Sequence, residues 1–322
     1  MKIGNTELKY GLMLAPMAGF TDRAMRLVCH KYGAEYCISE MVSAKAVCYG
    51  DKKTHALARI MADEGPCAVQ IFGSEPDIMA RAAESLALGE EGGVAPIAID
   101  INMGCPVHKV YSNGEGSALM KKPELVFRIV RAVSSAIDIP CTVKMRAGVD
   151  SDSRNAVECA LAAEEGGAAL IAVHGRTRVE MYSGRADMEI VKNVKSSLHI
   201  PVIANGDITS GEDALRVLME TGVDGIMVGR GAIGNPFVFS DIKARLSGAE
   251  YSEPTLEERI DTALLQLHTA VLEKGEPVAV REARKQIALY LRSFRGAAAI
   301  RAEINRAESF REVELALRTA VI

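Results

Sequence analysis

The sequence lacks the marks of a membrane or secreted protein. No apolar stretch approaches the ~18–20 residues that a membrane span needs, and residues 1–5 do not begin an apolar signal core. The seven cysteines are an odd number, with no Cys-x-x-Cys pair and no Cys/His cluster at zinc spacing. We therefore expect a cytoplasmic protein with no disulfide framework, no metal site and no membrane partner, and we expect it to be a monomer.

A strong net charge is also missing. The formal charge of −4 by itself argues against a nucleic-acid partner. The charge is unevenly distributed, however, because residues 281–306 carry +5, which leaves −9 for the rest of the chain. The basic residues of this segment are Arg281, Arg284, Lys285, Arg292, Arg295, Arg301 and Arg306. Such a segment is typical of a polyanion-binding face, although charge alone fits a solvated helix surface equally well.

The chain does contain eight short apolar runs separated by helical stretches. With 48% hydrophobic and 25% charged residues, its composition is that of a globular protein with a large core. The runs lie at residues 12–17, 36–41, 67–72, 97–102, 141–146, 170–174, 202–205 and 226–230. Runs of this kind predict parallel βα units. Eight such units predict an α/β fold, a closed (β/α)₈ TIM barrel with its active site at the carboxyl ends of the strands.

The chain of 322 residues is longer than such a barrel, which typically has ~250 residues. Residues 245–254 have the small and polar composition of a linker. Thr255 and Glu258 then match a capping box, and apolar residues recur at helical spacing after it. We predict a barrel domain at 1–245 and a small all-helical domain at 246–322. Its second helix is expected at about 278–294, and a third is expected to continue to the end.

Several of the apolar runs end at a residue that can take part in chemistry. Because the strand ends of a barrel meet at one face, these residues are expected to line one cavity. They are Gln70, Asn102, Lys144, Arg146, His174, Asn205 and Arg230, with Cys105 three residues beyond Asn102.

Lys144 lies in a run that should be buried on both faces, where an unpaired ammonium is costly. Three roles suit it. It could form a Schiff base, as in aldolases, or it could be a fixed cation beside the N1–C2=O edge of a flavin. It could also form a structural salt bridge across the barrel.

Cys105 is held between Gly104 and Pro106 on a turn over the predicted barrel mouth. A thiol with a pKa near ~8.5 remains mostly protonated at neutral pH, so Cys105 could donate a proton as well as attack. His108 shares this loop and could compete as the acid.

Two loops, Asn-Gly-Asp at 205–207 and Gly-Arg-Gly at 229–231, follow the last two runs. The second begins a Gly-x-Gly-x-x-Gly match, but it follows the last strand rather than the first, which argues against a nicotinamide-binding Rossmann turn. Asn235 and Pro236 instead predict the N-cap and first turn of a short extra helix. Loops in this position predict a phosphate site, to which Arg230 would add positive charge.

Taken in order, these motifs resemble those of the bacterial tRNA-dihydrouridine synthases. The resemblance covers essentially the whole chain, including residues 281–285 and Tyr290 in the helical part. The matching segments are 15–22 (Ala-Pro-Met-Ala-Gly-Phe-Thr-Asp), 101–106 (Ile-Asn-Met-Gly-Cys-Pro), 116–120 (Gly-Ser-Ala-Leu-Met), 143–146 (Val-Lys-Met-Arg), 173–177 (Val-His-Gly-Arg-Thr), 201–207 (Pro-Val-Ile-Ala-Asn-Gly-Asp) and 228–230 (Val-Gly-Arg).

The resemblance implies an FMN-dependent enzyme that uses NADPH to reduce the C5=C6 bond of specific uridines in tRNA. Hydride would pass from FMN N5 to C6, and Cys105 would be the general acid that protonates C5. The residues implied to hold FMN are Pro16, Met17, Ala18, Gln70, Lys144, His174, Asn205, Gly206, Asp207, Gly229 and Arg230. Those implied to contact the tRNA substrate are Asn102, Arg146, Arg176, Arg284 and Lys285.

Three other functions fit parts of the sequence. A flavin-dependent reductase of a small molecule could use the same lysine and phosphate loops, but it would not need a basic helical appendage. A lyase would use Lys144 as its Schiff-base lysine. A non-catalytic RNA-binding protein would leave the buried lysine and the cysteine loop without a purpose.

Overall fold

Eight parallel strands form a closed barrel at the centre of the protein, as the sequence predicts. The computed structural model describes residues 1–292 and 294–320. Its strands are β1 (Lys2–Ile3), β2 (Thr6–Glu7), β3 (Leu12–Leu14), β4 (Tyr36–Ile38), β5 (Val42–Ser43), β6 (Cys67–Phe72), β7 (Ala98–Met103), β8 (Cys141–Gly148), β9 (Leu170–Thr177), β10 (Val202–Asn205) and β11 (Gly225–Val228). The barrel consists of β3, β4 and β6 to β11. Parallel pairing of β3 with β11 and of β4 with β6 closes it.

Helices surround the barrel and continue beyond it. The α-helices are α1 (Arg23–Lys31), α2 (Ala44–Cys48), α3 (Lys52–Ala58), α4 (Pro76–Ala87), α5 (His108–Ser112), α6 (Pro123–Ala136), α7 (Ala156–Glu165), α8 (Met188–Ser197), α9 (Gly211–Thr221), α10 (Val238–Ser247), α11 (Leu256–Lys274), α12 (Glu276–Ile287), α13 (Ala297–Arg306) and α14 (Phe310–Arg318). Short 3₁₀ helices span Ala62–Glu64, Gly116–Lys121, Arg230–Ala232 and Ala288–Leu291. The helices α11 to α14 form a helical C-terminal region, so the predicted fold class is confirmed. Within the described residues, no helix is long and apolar enough to cross a membrane.

The strands are continuous buried runs, because each has the barrel interior on one side and helices on the other. Every residue of β8 and of β9 is buried, and both strands extend beyond their predicted ends, to Gly148 and Thr177. The strand β3 is shorter than predicted and ends at Leu14. The reason is a turn that closes on the Met17 carbonyl, which accepts two backbone N–H bonds. Residues 15–17 therefore lie in a loop at the barrel mouth.

The predicted capping box is confirmed. The Thr255 hydroxyl accepts a hydrogen bond from the Glu258 backbone N–H at 3.2 Å, and the Glu258 carboxylate accepts one from the Thr255 backbone N–H at 2.7 Å. These two bonds satisfy donors that the first turn of α11 would otherwise leave without partners.

The predicted N-cap at Asn235 is wrong. The helix α10 begins at Val238 with Phe237 at its N-cap, and it is ten residues long rather than short. Residues 235–237 form a turn instead, in which the Asn235 carbonyl accepts a hydrogen bond from the Val238 backbone N–H at 3.2 Å. Phe237 is buried in the core of the C-terminal region, which fixes this turn.

The predicted last helix is also wrong, because it consists of two helices, α13 and α14. The backbone of Ala307 is extended, with φ −59° and ψ 138°, and this ends α13. The Ser309 hydroxyl then caps α14 by accepting a hydrogen bond from the Glu312 backbone N–H at 3.3 Å. The helix predicted at 278–294 begins earlier, at Glu276, and its last turn becomes the 3₁₀ helix Ala288–Leu291.

Apolar residues form separate cores outside the barrel, inside it and in the C-terminal region. The largest lies between the strands and the surrounding helices. The interior core includes Met13, Tyr36 and Ala172, and Ile3 and Leu8 pack against it. The hairpin of β1 and β2 thus covers the amino ends of the strands, which leaves the carboxyl ends as the open mouth.

The C-terminal region lies against loops of the barrel mouth. Gln286 Nε2 donates to the carbonyl of Gly19, in the loop after β3, at 3.3 Å. The Lys274 ammonium donates at 2.7 Å both to Asp22, beside the same loop, and to Glu282 of α12. The helix α12 is therefore fixed next to the strand ends.

Candidate active site

The barrel mouth brings together residues from the ends of several strands. Residues side by side in the strand registers are Gln70 and Asp100, Asn102 and Lys144, and Arg146 and His174. Ala68, Ala98 and Ala172, each two residues earlier on these strands, belong to the interior core. Because alternate residues of a strand share a face, the polar side chains continue the same interior surface toward the mouth.

A chain of hydrogen bonds crosses three strands at this level. Asp100 is fully buried, and its carboxylate accepts from the Thr142 hydroxyl at 2.6 Å and from Gln70 Nε2 at 2.7 Å. Gln70 Oε1 accepts from Asn102 Nδ2 at 2.8 Å, and Asn102 Oδ1 accepts from the backbone N–H of Cys105 at 2.9 Å. The two amides and the cysteine loop therefore form one connected unit.

The Cys105 thiol sits on a well-ordered turn. The Cys105 backbone carbonyl accepts hydrogen bonds from the hydroxyl of Ser117 at 2.7 Å and from the backbone N–H of Ser117 at 3.2 Å. Burial raises the pKa of the half-buried thiol, although the backbone N–H of Val107 and the charge of Arg146 act in the opposite direction. The thiol is therefore protonated at neutral pH. His108 is exposed at the start of α5 and makes no side-chain hydrogen bond in the described chain.

Lys144 is buried, with 9% of its surface exposed, and makes no hydrogen bond or ion pair within the described part of the chain. Burial, followed by repulsion from Arg146, lowers its pKa to about 7, while the charge of Asp100 acts in the opposite direction. The salt bridge that the sequence left open is thus not formed among the described residues. An unpaired buried ammonium at a cavity mouth is suited to an anionic group of a ligand.

His174 is neutral at any physiological pH. Burial, followed by the charges of Lys144, Arg146, Arg176 and Arg230, lowers its pKa to about 2. Its Nε2 lies 3.4 Å from an Arg176 guanidinium nitrogen. A histidine that faces four cations marks an electropositive cavity.

Asp207 links two of these cations. Its carboxylate accepts from Arg176 and from the backbone N–H of Ala186, both at 2.8 Å, and it lies 3.8 Å from the Arg230 guanidinium. Burial alone would raise the pKa of Asp207, but the hydrogen bonds from Arg176 and Ala186 lower it below the ordinary value. The backbone of Asp207 has a φ of +53°, a conformation that Asp tolerates better than most residues and that concentrates at functional sites.

Arg146 and Arg176, both predicted to contact substrate, donate most of their hydrogen bonds to residues of the loops. Arg146 donates to the carbonyls of Gly104, Thr177 and Met181 at 2.8, 2.9 and 3.0 Å. Arg176 is 2% exposed and donates to two carbonyls of the loop at 183–184 as well as to Asp207. Both side chains therefore hold the loops around the barrel mouth in place.

The predicted phosphate loops lie close to one another at the barrel mouth. A Cβ built on Gly229 would lie 3.7 Å from Ala15, 3.7 Å from Met17 and 4.0 Å from Asn205, all ordinary contact distances. At Gly206, with a φ of +123°, a Cβ would lie 2.6 Å from that of Ala186, so glycine is required there. The loops after β3, β10 and β11 therefore meet around one cradle. Pro16 and Ala18 lie on the first of these loops, half-buried and exposed respectively.

Arg284 and Lys285, both predicted to contact tRNA, differ in environment. Arg284 donates to the Ala307 carbonyl at 2.6 Å and so holds α12 to the end of α13. Lys285 is exposed, and its ammonium lies 4.7 Å from the ring centre of Phe20, in the loop after β3. Of the two, Lys285 is the residue placed at the barrel mouth.

Sequence reasoning missed Asp100 and Tyr182. Asp100 had a usable signal, since it interrupts the run Ile-Ala-Ile-Asp-Ile-Asn at the same parity as Asn102. Tyr182 had none, because its ring is brought to the mouth by a loop. Arg230 stacks on that ring with 4.3 Å between the guanidinium carbon and the ring centre, and Arg146 lies 5.9 Å away.

A model of the dihydrouridine synthase family matches residues 13–322, nearly the whole chain. This chain belongs to the dihydrouridine synthase family. Among its relatives are a probable tRNA-dihydrouridine synthase of Rickettsia conorii, 42% identical over 95% of this chain and 91% of that one, and tRNA-dihydrouridine synthase B of Xanthomonas campestris, 42% identical over 98% and 94%. The same enzyme of Pseudomonas aeruginosa is 40% identical over 95% and 91%. The family expected from the sequence is confirmed, and with it the expectation of an enzyme.

Solved structures support the fold. A 6-hydroxypseudooxynicotine amine oxidase from Pseudomonas geniculata superimposes with a TM-score of 0.59 at 12% identity, over 77% of this chain and 48% of that one. A 2-naphthoyl-CoA reductase gives 0.56 at 13% identity, over 77% and 52%. The matches thus span about half of each of those longer chains, and at such low identity they speak for the barrel alone.

Proposed function

We propose that this protein is an FMN-dependent tRNA-dihydrouridine synthase that takes its reducing equivalents from NADPH. The observation that carries the proposal is that one barrel mouth holds both a buried Lys144, which makes no ion pair with the described residues, and a protonated Cys105. The names of the relatives, all tRNA-dihydrouridine synthases, supply the substrate class.

The residues at the mouth fit a flavin nucleotide. The cradle between Met17, Asn205 and Gly229 has glycine where a backbone must approach a ligand, and Arg230 adds positive charge for a phosphate. Among the residues that the structure describes, the ammonium of Lys144 has no counter-charge within hydrogen-bond reach, and an electron-rich ring edge would provide one. Pro16, Ala18, Gln70, His174, Gly206 and Asp207 are proposed to complete this site. When bound, FMN would accept hydride from NADPH and supply it to C6 of a uridine.

Cys105 is proposed to be the general acid. A raised pKa keeps the thiol protonated, and the turn anchored on Ser117 and Asn102 holds it at the mouth. It would protonate C5 of the uracil ring while hydride arrives at C6 from the opposite face. Asn102, Arg146 and Arg176 are proposed to place the ring.

The tRNA substrate requires contacts outside the cavity. A uridine must leave its stack to reach the barrel mouth, so the protein selects its substrate largely through shape and backbone contacts. The proposed helical tRNA-binding domain (246–322) presents Lys285 next to the mouth and Arg281 farther along the exposed face of α12. These side chains would bind phosphates on either side of the extruded uridine. Arg284 belongs to the same basic segment, although its hydrogen bond to Ala307 also braces the domain.

Two linked spectroscopic measurements test the proposal. The purified protein should be yellow, heat should release FMN, and NADPH should bleach the bound flavin in the absence of oxygen. Addition of tRNA from cells that lack dihydrouridine should then restore the oxidised spectrum, whereas fully modified tRNA should not. A protein that binds no flavin even after reconstitution would overturn the cofactor, and a flavin that tRNA cannot reoxidise would overturn the substrate.

A further inference from the structure

Asp100 is a buried carboxylate to which the proposed reaction assigns no step, although its charge favours the protonated form of Lys144. It lies on β7 with 0% of its surface exposed, and both of its oxygens accept hydrogen bonds, from Thr142 and from Gln70. It stands two residues before Asn102, on the same face of the strand. An ionisable group so deep in a core needs a reason, because its burial is unfavourable.

The hydrogen-bond pattern supplies a reason. An ionised carboxylate can only accept, so Gln70 must present its Nε2 to Asp100 and its Oε1 to Asn102. Asn102 must then present its Nδ2 to Gln70 and its Oδ1 to the backbone N–H of Cys105, which can only donate. The chain has an acceptor at one end and a donor at the other, so the two amides have a single satisfied arrangement.

We propose that Asp100 is a positioning residue that fixes the side-chain amides of Gln70 and Asn102, and through them the Cys105 turn. Gln70 faces the proposed cofactor site and Asn102 the proposed substrate site, so one carboxylate orients both. This inference rests on the proposed function for its catalytic consequence, whereas its effect on the Cys105 turn does not depend on it.

Substitutions at Asp100 and at Thr142 distinguish a positioning role of Asp100 from a contribution to stability alone. Asp100→Ala removes the fixed acceptor, and any water that enters can donate as well as accept, so Gln70 is no longer held. Thr142→Val is the matched control, because it removes the other hydrogen bond to Asp100 but does not touch the path toward Asn102. Asp100→Asn is the conservative variant: its amide oxygen can accept from Gln70 while the Thr142 hydroxyl rotates to accept from its NH₂ group.

The first readout is the rate at which iodoacetamide alkylates Cys105 in the purified full-length protein. A Cys48→Ser background is used, because the other cysteines of the described chain are buried. Loss of the order imposed through Asn102 should speed alkylation about 10-fold in Asp100→Ala, the scale of one lost hydrogen bond. Thr142→Val and Asp100→Asn should alkylate within about 3-fold of the parent. Equal rates for Asp100→Ala and Thr142→Val would overturn the proposal.

The second readout is a double-mutant cycle. If Asp100 acts through Asn102, then Asp100→Ala should have no further effect on alkylation once Asn102→Ala is present. Effects that simply multiply would overturn the proposal. In the FMN-loaded protein, Asp100→Ala should lower kcat for uridine reduction about 10-fold and leave KM for tRNA unchanged. If the protein proved to bind no flavin, the alkylation cycle would still decide the inference.

Discussion

The barrel mouth and the helical C-terminal region both carry positive charge, but they hold it in opposite ways. At the mouth, Lys144 and Arg176 are buried on strands, and carbonyls and one carboxylate of the surrounding loops hold Arg176 in place. In the C-terminal region, Arg281 and Lys285 lie on an exposed helix face. Charge placed under the surface is suited to a small anionic ligand, and charge spread over a surface is suited to a polyanion.

The difference predicts at which sites a substitution should change the chemical step and at which sites it should change the affinity for tRNA. The buried charge of Lys144 is costly to the fold because no described residue pairs with it, so its removal should lower activity and raise stability. Exposed charges cost the fold little, and their removal should weaken binding in small, salt-dependent steps. Substitutions at three places in the molecule test this contrast, taken from the largest expected effect to the smallest.

The largest effect is expected at Cys105. Cys105→Ala should lower the rate of uridine reduction by ~10²-fold or more, the scale of a lost general acid, and leave the rate of flavin reduction by NADPH nearly unchanged. Stopped-flow absorbance separates these two steps. Cys48→Ala, which removes the other partly exposed thiol, is the control and should affect neither step. A parallel fall in both rates would assign Cys105 to structure or to cofactor binding, and His108 would become the next candidate for the acid.

The next effect is expected at Lys144, where loss of the ammonium should change the free energy of unfolding by about a few kcal/mol. The pKa of this lysine is about 7 in the fold and ~10.4 when unfolded, so the unfolded chain binds more protons between these values, and stability rises with pH across that window. Lys144→Met removes the cost of the buried charge, which is fully present below about pH 7. The flavin-free variant should therefore melt at a higher temperature than the flavin-free parent at pH 7, and this advantage should shrink toward pH 10.

The same Lys144→Met substitution should weaken FMN binding, which fluorescence titration measures. Lys192→Met, on the exposed face of α8, is the control and should change neither property. A variant that is no more stable than the parent, yet binds FMN normally, would contradict a ligand-directed role for the buried ammonium.

The smallest effect is expected in the C-terminal region, where two neighbours should behave differently. Lys285→Ala should weaken tRNA binding a few-fold and flatten the slope of log K against log salt by about 0.7–0.9, the value for one phosphate contact. Arg284→Ala should mainly lower the melting temperature, because it leaves the Ala307 carbonyl without its donor. Filter binding at several salt concentrations and thermal melting distinguish them. An unchanged salt slope in Lys285→Ala would place the tRNA contacts elsewhere.

The barrel could be predicted from the sequence because each strand is a continuous apolar run that ends near a polar residue. The mutual arrangement of these residues could not be predicted, since it depends on strand register. Asp100 illustrates the limit: its parity with Asn102 was readable, but its contact with Gln70 arises from the pairing of β6 with β7. Tyr182 and the start of α10 at Val238 depend on loop conformation, to which local propensity contributes little.

Formation of dihydrouridine in tRNA by the purified protein is the most direct test of the central claim. The protein, loaded with FMN, is incubated with NADPH and tRNA from cells that lack dihydrouridine, and the digested tRNA is analysed by mass spectrometry. We predict that specific uridines gain one hydride and one proton, and that Cys105→Ala abolishes most of this product in the same incubation time. Flavin that is reduced by NADPH while every uridine remains unchanged would contradict the account.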